Sequence, residues 1–207
     1  MLCASVHPQD QPRELRGDGH LLGETAEKFF SESFVGEMLR ACQASDWKTV
    51  SKNVGHESKI KAKDYCAKEK LAKQQATSGT RLEYNGRGDE ETMREDTFTF
   101  DNDHLVKIDM AYVAPVANIE GSHPKSYGEL FAGLQEAYGP PSKSYSEPIQ
   151  NAYGVKYEAP RAVWVGNHDI VSIIEEPGKG GRTKIIAETL AEYNRSAQEP
   201  KTPNPLR

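Results

Sequence analysis

The sequence predicts a mixed α+β protein built from two tandem helix-plus-antiparallel-hairpin units, which form a sheet with helices packed on one face. The first unit carries an extra helical pair. Two observations predict this fold. First, apolar residues follow a helical period before residue 78 and the two-residue period of strands from Arg81 onward. Second, the order of helix and then strands occurs again in the second half of the chain. The 207 residues are sufficient for one domain or two small ones with a buried core.

The chain is expected to divide into four parts. Residues 1–20 and 197–207 are predicted to be disordered. The first segment contains two prolines and two glycines among charged residues and lacks an apolar period, and the second contains three prolines. The first unit is expected to span residues 21–115 and the second residues 125–193. A linker that contains proline and glycine joins them.

Three helices are predicted in the first unit. The first begins after Gly23, with acidic residues in its first turn and with Phe29 and Phe30 on its inner face. The second extends to about Asp46. The third covers residues 57–75, where six lysines surround a few apolar positions. The second and third helices form the extra pair of the first unit.

Six strands and a further helix are predicted after residue 80. Alternation of apolar and polar residues marks the strands, and the turns between them are rich in Gly, Asp and Asn. The helix, residues 126–138, has an apolar face and is stopped by Gly139 and two prolines. The predicted strands cover residues 81–84, 97–100, 106–112, 155–165, 168–175 and 182–190.

An internal similarity supports the division into two units. Six positions of the first hairpin match six positions of the second at a constant spacing of 65 residues, which is the pattern expected of a repeat. Chance similarity between two alternating hairpins is the alternative. The matched positions are Phe98, Phe100, Asn102, Leu105, Val106 and Ile108 with Val163, Val165, Asn167, Ile170, Val171 and Ile173.

The three cysteines bear on the compartment of the protein. Cys42 and Cys66 lie near the ends of two predicted helices that a loop connects, so a disulfide between them is the preferred interpretation. Such a bond contributes roughly 3 kcal/mol in the chain-entropy model and requires an oxidising compartment. Two buried thiols are the alternative. Cys3 is left unpaired in a segment that resembles the end of a secretory signal, so an extracytoplasmic location is expected.

Charge and hydropathy argue against several classes of protein. With 26 basic and 31 acidic residues the formal net charge is −5, which argues against a general nucleic-acid-binding protein. No stretch approaches the roughly 18 consecutive apolar residues of a membrane-spanning helix. No cofactor is predicted, because the glycine-rich residues 178–184 lack the spacing of a phosphate-binding loop and His56 lacks the second histidine of a zinc-protease helix.

One cluster near the first hairpin turn offers oxygen and nitrogen atoms to a cation. It consists of Asp101, Asp103, His104 and Asp109. The complete calcium-loop spacing, with its glycine and terminal glutamate, is absent. Because Asp and Asn also favour tight turns, a solvated turn is the favoured interpretation, and no metal site is predicted.

A second cluster suggests acid–base chemistry. His168 and Asp169, with Glu175 and Glu176 on the next predicted strand, are residue types that transfer protons when they lie within hydrogen-bond reach. Their positions in a turn and at a strand end favour solvated charges instead. No catalytic residue is therefore predicted.

Lysines and tryptophans are the remaining candidates for a binding surface. The helix from Lys59 to Lys73 would attract a polyanion, but acidic residues between its lysines favour a solvated helix face. Trp47 and Trp164 would suit an interface with another protein. Core packing is favoured for both, since a tryptophan buries a large area.

Two short motifs and one hairpin resemble the beta-lactamase-inhibitor-protein-like superfamily, which includes small outer-membrane assembly lipoproteins. The similarity rests on residues 22–25 (Leu-Gly-Glu-Thr), residues 138–141 (Tyr-Gly-Pro-Pro) and the hairpin that carries Trp164. It covers roughly residues 21–191 and implies tandem helix-plus-sheet units, a secreted or envelope setting, and protein binding without catalysis. The lysine-rich helix has no counterpart in that family, and Cys3 does not lie in a lipoprotein motif.

The sequence therefore predicts a secreted or periplasmic non-enzymatic module that binds another protein through its sheet or its loops. A hydrolase whose acid and base residues converge only in the fold is the alternative, and polyanion binding by the lysine helix is a third hypothesis. The candidate binding-loop residues are Asp101, Asp103, His104, Asn167, His168, Asp169, Lys179 and Arg182.

Overall fold

The structure is a computed structural model that describes residues 19–53, 59–86, 94–112, 125–150, 154–176 and 182–198. Within these ranges it contains six helices and one seven-stranded antiparallel sheet, so the predicted mixed α+β fold is confirmed. The helices are α1 (Ala26–Glu32), α2 (Phe34–Gln43), α3 (Trp47–Asn53), α4 (Lys59–Thr77), α5 (Tyr127–Tyr138) and α6 (Leu190–Gln198). The strands are β1 (Leu82–Asn85), β2 (Arg94–Asp101), β3 (His104–Tyr112), β4 (Lys143–Gln150), β5 (Lys156–Val165), β6 (Asp169–Glu176) and β7 (Arg182–Thr189).

The strand order of the sheet is β1-β2-β3-β7-β6-β5-β4. The strands of the first unit, β1–β3, and those of the second, β4–β7, thus form the two halves of one sheet, and β7 of the second unit pairs with β3 of the first. On one side Ala187 of β7 lies opposite Ile108 of β3, and on the other side it lies opposite Val171 of β6. Every ladder in the sheet is antiparallel.

The core lies on one face of the sheet, which we call the first face. Residues of α1, α2, α4 and α5 pack there against buried residues of the strands. Aromatic rings form its centre: Phe29 lies 4.8 Å from Phe98 and 5.0 Å from Phe100, measured between ring centroids. Both pairs have the edge-to-face geometry that aromatic side chains prefer. The prediction that Phe29 and Phe30 lie on the inner face of α1 is confirmed, since both are buried.

The segment before α1 pairs with the first hairpin. The backbone amide of Gly23 donates to the carbonyl oxygen of Leu105 at 2.7 Å. His20 is buried, and its ring centroid lies 4.1 Å from that of Phe29. His20 also forms a hydrogen-bonded pair with Glu24, which is mostly shielded from solvent. The last residues of the predicted disordered segment are therefore packed, while residues 1–18 lie outside the described residues.

The end of α5 is attached to the second hairpin. The indole nitrogen of Trp164 donates a hydrogen bond of 2.8 Å to the carbonyl oxygen of Gly139, just past the last turn of α5. Gly139 has a φ of 77°, which a residue with a side chain rarely adopts, so a glycine suits this helix end. Trp164 is buried and contacts Phe131, so the prediction of core packing is confirmed for this tryptophan.

Three elements differ from the sequence prediction. The chain forms α3, β4 and α6 in segments where no helix or strand was expected. β4 is an edge strand with mostly exposed residues, and it contains Pro148, so it lacks the apolar alternation by which strands are recognised. α6 ends at Gln198, within the predicted tail, and it has few apolar residues. The predicted linker, from Pro115 to Pro124, lies outside the described residues.

The opposite face of the sheet, which we call the second face, carries α6. The carboxylate of Glu192 is almost fully buried and accepts hydrogen bonds of 2.7 Å from both Arg81 and Arg195. Arg81 immediately precedes β1, so this contact joins the last described helix to the first strand. The prediction placed helices on one face only, and α6 adds a helix to the other face.

The six matched positions share their burial only in part: Leu105 and Ile108 are buried like Ile170 and Ile173, but the first strands of the two hairpins differ. Phe98 and Phe100 are buried in the core, whereas the corresponding Val165 is exposed. In the second hairpin the first face is formed instead by Ala162 and Trp164. Because side chains of a strand alternate between the two faces of the sheet, a shift of one residue in the alignment moves each side chain to the other face. The tandem repeat therefore stays a prediction.

We expect the stability of the protein to depend on pH through Glu192. Hydrogen bonds from Arg195 and Arg81 lower the pKa of Glu192 from 4.5 to about 2, so the folded state favours the ionised carboxylate. Its contribution, roughly 1–3 kcal/mol, should be fully present above pH 4.5 and lost as the pH falls through 2. Urea unfolding of the wild type and of Glu192→Gln gives the difference between their free energies of unfolding. This difference should be smaller at pH 3 than at pH 6, and a difference that does not change with pH would contradict the assignment.

Candidate functional site

A disulfide joins two helices of the first unit. Cys42 near the end of α2 and Cys66 in α4 are bonded, with Cα atoms 5.8 Å apart and 24 residues between them in the sequence. The predicted pairing is confirmed, and the alternative of two buried thiols is not what the structure shows. Because α2 and α4 also contact each other directly, the bond fixes the separation of two helix surfaces.

A groove runs between α2 and α4, with the disulfide in its wall. Its volume is about 820 Å³, within the range of small-molecule sites. We call it the α2–α4 groove. The described residues that line it include no aspartate or glutamate. They are Phe30, Ser31, Gly36, Leu39, Arg40, Cys42, Gln43, Cys66, Ala67, Lys70, Lys73, Gln74 and Thr77.

Three basic side chains line the α2–α4 groove. Lys70 and Lys73 follow Cys66 by one and two turns of α4, so all three lie on one side of that helix. Lys73 forms an ion pair of 2.7 Å with Glu27 of α1. Arg40 lies on α2, and its guanidinium donates a hydrogen bond of 2.8 Å to the carbonyl oxygen of Ser31.

The other lysines of α4 are distributed over different surfaces. The ammonium group of Lys63 lies 5.7 Å from the centre of the Trp47 ring, which is a cation–π distance. Lys61 and Lys68 are exposed and do not line the groove. The lysines considered for polyanion binding, from Lys59 to Lys73, therefore do not form one surface in the part of the helix whose side chains are described, and only Lys70 and Lys73 line the groove.

The predicted binding loops lie at two ends of the sheet. Asp169 at the start of β6 lies opposite Thr189 at the end of β7, and β7 ends beside the first residues of β3. The turns at residues 101–104 and 166–169 consequently share one end, which we call the loop end. Arg182 lies at the opposite end, about 23 Å away along eight-residue strands. Lys179 lies outside the described residues.

An apolar surface lies on the second face beside the turn at residues 166–169. The most exposed of its side chains is Val165, with 56% of its surface accessible, and α6 begins nearby because the amide of Leu190 donates to the carbonyl of His168. Tyr193 follows Leu190 by one turn on the same side of α6. We use the name loop-end patch for the apolar residues that strand register and helix position place at the loop end of the second face. They are Tyr145, Val163 and Val165 on β4 and β5, and Leu190 and Tyr193 on α6.

The four side chains considered as cation ligands near the first hairpin turn do not group around one point. Asp101 lies 3.7 Å from Arg81, Asp109 lies 3.6 Å from Lys184, and His104 contacts the backbone of its own turn. Within the described ranges, no three histidine, cysteine, aspartate or glutamate side chains are grouped so as to hold a metal ion. The positive φ angles of Asn102 and Asp103 show a tight hairpin turn at this position.

The four residues considered for acid–base chemistry do not converge either. Asp169 and Glu175 lie six residues apart on one strand, which separates them by about 20 Å. Glu176 pairs with Arg182 in the ladder at the far end of the sheet. His168 is exposed at the loop end. These four side chains therefore cannot act on one substrate atom together.

A smaller cavity of about 590 Å³ lies between the end of α5 and the turn at residues 166–169. Asn167 and Asp169 line it together with Tyr138. Burial and the nearby Asp169 carboxylate raise the pKa of Tyr138 to about 12, so its hydroxyl stays protonated at neutral pH. This cavity adjoins the loop-end patch, and two of the predicted loop residues are thus part of a concave surface.

Comparison with protein-family models, with curated proteins and with solved structures finds no match for this chain. The resemblance to the beta-lactamase-inhibitor-protein-like superfamily accordingly stays a prediction. None of the helices in the described part of the chain combines the length and the apolar character needed to cross a membrane.

Sequence reasoning named the two cysteines and the lysines of α4 as candidates, but it did not join them with Arg40 into one surface, and it missed the loop-end patch. Helical spacing from Cys66 would have placed Lys70 and Lys73 beside the disulfide, but Arg40 comes from another helix and carries no signal of its own. Leu190 and Tyr193 were missed because α6 was not predicted. The loop-end patch combines a strand, a turn and a helix, and no single periodicity connects these elements.

We expect the disulfide to be a major source of stability. Replacing both Cys42 and Cys66 by serine should lower the free energy of unfolding by about 3 kcal/mol, because the unfolded chain regains the entropy of a closed loop. Guanidinium unfolding of the oxidised wild type and of the double variant measures the loss. The wild type in reductant is the control and should match the double variant; equal stability of all three would contradict the expectation.

Proposed function

We propose that the protein is an extracytoplasmic, non-enzymatic binding module, and that it binds a partner protein through the loop-end patch. One observation carries the proposal. Of the six large apolar side chains that are most exposed in the described part of the chain, four belong to this patch: Tyr145, Val165, Leu190 and Tyr193. Exposed apolar residues that cluster in this way are typical of interaction sites, whereas scattered ones are ordinary.

The composition of the patch suits a protein interface. Two tyrosines and aliphatic residues form its centre, and aromatic residues of this kind dominate the binding energy of such interfaces. Polar groups surround it: Lys143 lies above the Tyr145 ring at 4.6 Å, and Asn167 and His168 are exposed in the adjacent turn. The expected partner is a folded protein that presents an apolar surface with hydrogen-bonding groups at its margin.

The disulfide supports the extracytoplasmic part of the proposal. Disulfides such as Cys42–Cys66 form and persist in oxidising compartments, and they are rare in the reducing cytosol. The hydrolase alternative has no comparable support, because the acid and base residues on which it depended are separated along the sheet.

We expect a charge at the centre of the patch to abolish partner binding. Val165→Glu places a carboxylate where an apolar contact is expected, and burying that charge without a counter-ion costs several kcal/mol, so binding should fall at least tenfold. The measurement is photo-cross-linking from position 193 in the native compartment, followed by affinity measurement with the captured partner.

Leu71→Glu is the matched control, because Leu71 on α4 is 53% exposed but lies away from the patch. It should leave binding unchanged. Two outcomes would sink the proposal: equal binding by Val165→Glu and the wild type, or cross-links from position 193 that join only copies of this chain.

A further inference from the structure

We propose that the α2–α4 groove is a binding site for a small amphipathic carboxylate, a molecule with an apolar body and one acidic head group. This site lies on the helices of the first face, whereas the loop-end patch lies on the second face, so the two proposals are independent. The inference rests on three features of the groove: its apolar floor, its basic margin and its size.

The floor of the groove is suited to an apolar body. Phe30, Leu39 and the Cys42–Cys66 disulfide line it, together with Gly36 of α2. A side chain cannot be added at Gly36 without conflict, since a Cβ there would lie 2.5 Å from the carbonyl oxygen of Ser31. The close approach of α2 to the end of α1 therefore requires a glycine at position 36.

The margin of the groove is suited to an anionic head group. Arg40, on α2, and Lys70, on α4, face the groove from opposite sides, and the described residues of its lining contribute no carboxylate to neutralise them. Lys73 is already paired with Glu27 at 2.7 Å, so it adds less to the attraction. The bond from Arg40 to Ser31 holds the guanidinium in place, which reduces the entropy lost when it binds an anion.

The size of the groove favours a small molecule over a polyanion. A volume of about 820 Å³ matches sites that enclose single small ligands. A polyanion would need a row of cations along its length, but Lys61 and Lys68 do not line the groove and Lys63 lies over the Trp47 ring. The groove therefore offers a short apolar surface beside a small cluster of basic side chains, which suits a small ligand better than a polyanion.

Paired probes test this inference. Anilinonaphthalene sulfonate is a fluorescent amphipathic anion, and phenylnaphthylamine has the same rings without the sulfonate. We expect the anion to bind the oxidised full chain more tightly than the neutral probe, with an affinity that falls as salt rises. Dodecanoate should displace the bound anion, and dodecanol, which has the same chain without a charge, should displace it about tenfold less effectively.

Variants at the margin locate the site. Lys70→Glu should weaken binding of the anionic probe by roughly tenfold and Arg40→Gln by roughly threefold, while the neutral probe should bind as before. Lys68→Glu changes the net charge by the same amount as Lys70→Glu but lies outside the groove, so it should have little effect. Both lysines are exposed, so these variants should fold normally.

Three results would overturn the inference. The first is equal binding of the charged and the neutral probe. The second is equal weakening by Lys68→Glu and Lys70→Glu, which would reveal a general charge effect. The third is displacement of the probe by heparin or oligoglutamate but not by dodecanoate, which would assign the basic surface to a polyanion instead.

Discussion

Pairing of β7 with both of its neighbours is the interaction on which the whole sheet depends. The strand forms six residue pairs with β3 and eight with β6, so it is the only described connection between the two halves of the sheet. Alternate residues of β7, such as Ile185 and Ala187, also enter the core that the helices cover. Without β7 the first face would be two separate surfaces, each too small to bury the aromatic cluster and Trp164 together.

The two proposed surfaces depend on different local contacts. The α2–α4 groove exists because a covalent bond holds two helices at a fixed separation, with Lys70 on one side and Arg40 on the other. The loop-end patch exists because α6 turns across the second face at Leu190, and the buried Glu192 holds that helix in place. A change in one contact therefore leaves the other surface intact, and the two sites are able to act separately.

The parts of the fold that sequence reasoning predicted are those in which one periodicity determines the structure. The hairpins around Asn102 and Asn167 and the helix that ends at Gly139 all combine a regular pattern with a clear turn or stop signal. β4 has no such pattern, because it is an exposed edge strand with Pro148 in it. Both candidate sites escaped prediction because each is formed by elements distant in sequence, and no linear motif records which side chains of two elements meet.

The position of β7 in the chain has a consequence for how the protein reaches its folded state. Both hairpins can form from local contacts, but β3 and β6 remain edge strands until residues 182–189 pair with them. Unpaired edges with apolar residues such as Ile108 and Ile173 are templates for pairing with other chains. Completion of the sheet therefore waits until β7, the last strand in the described part of the chain, has been synthesised. A newly made chain benefits from being shielded by a chaperone until then.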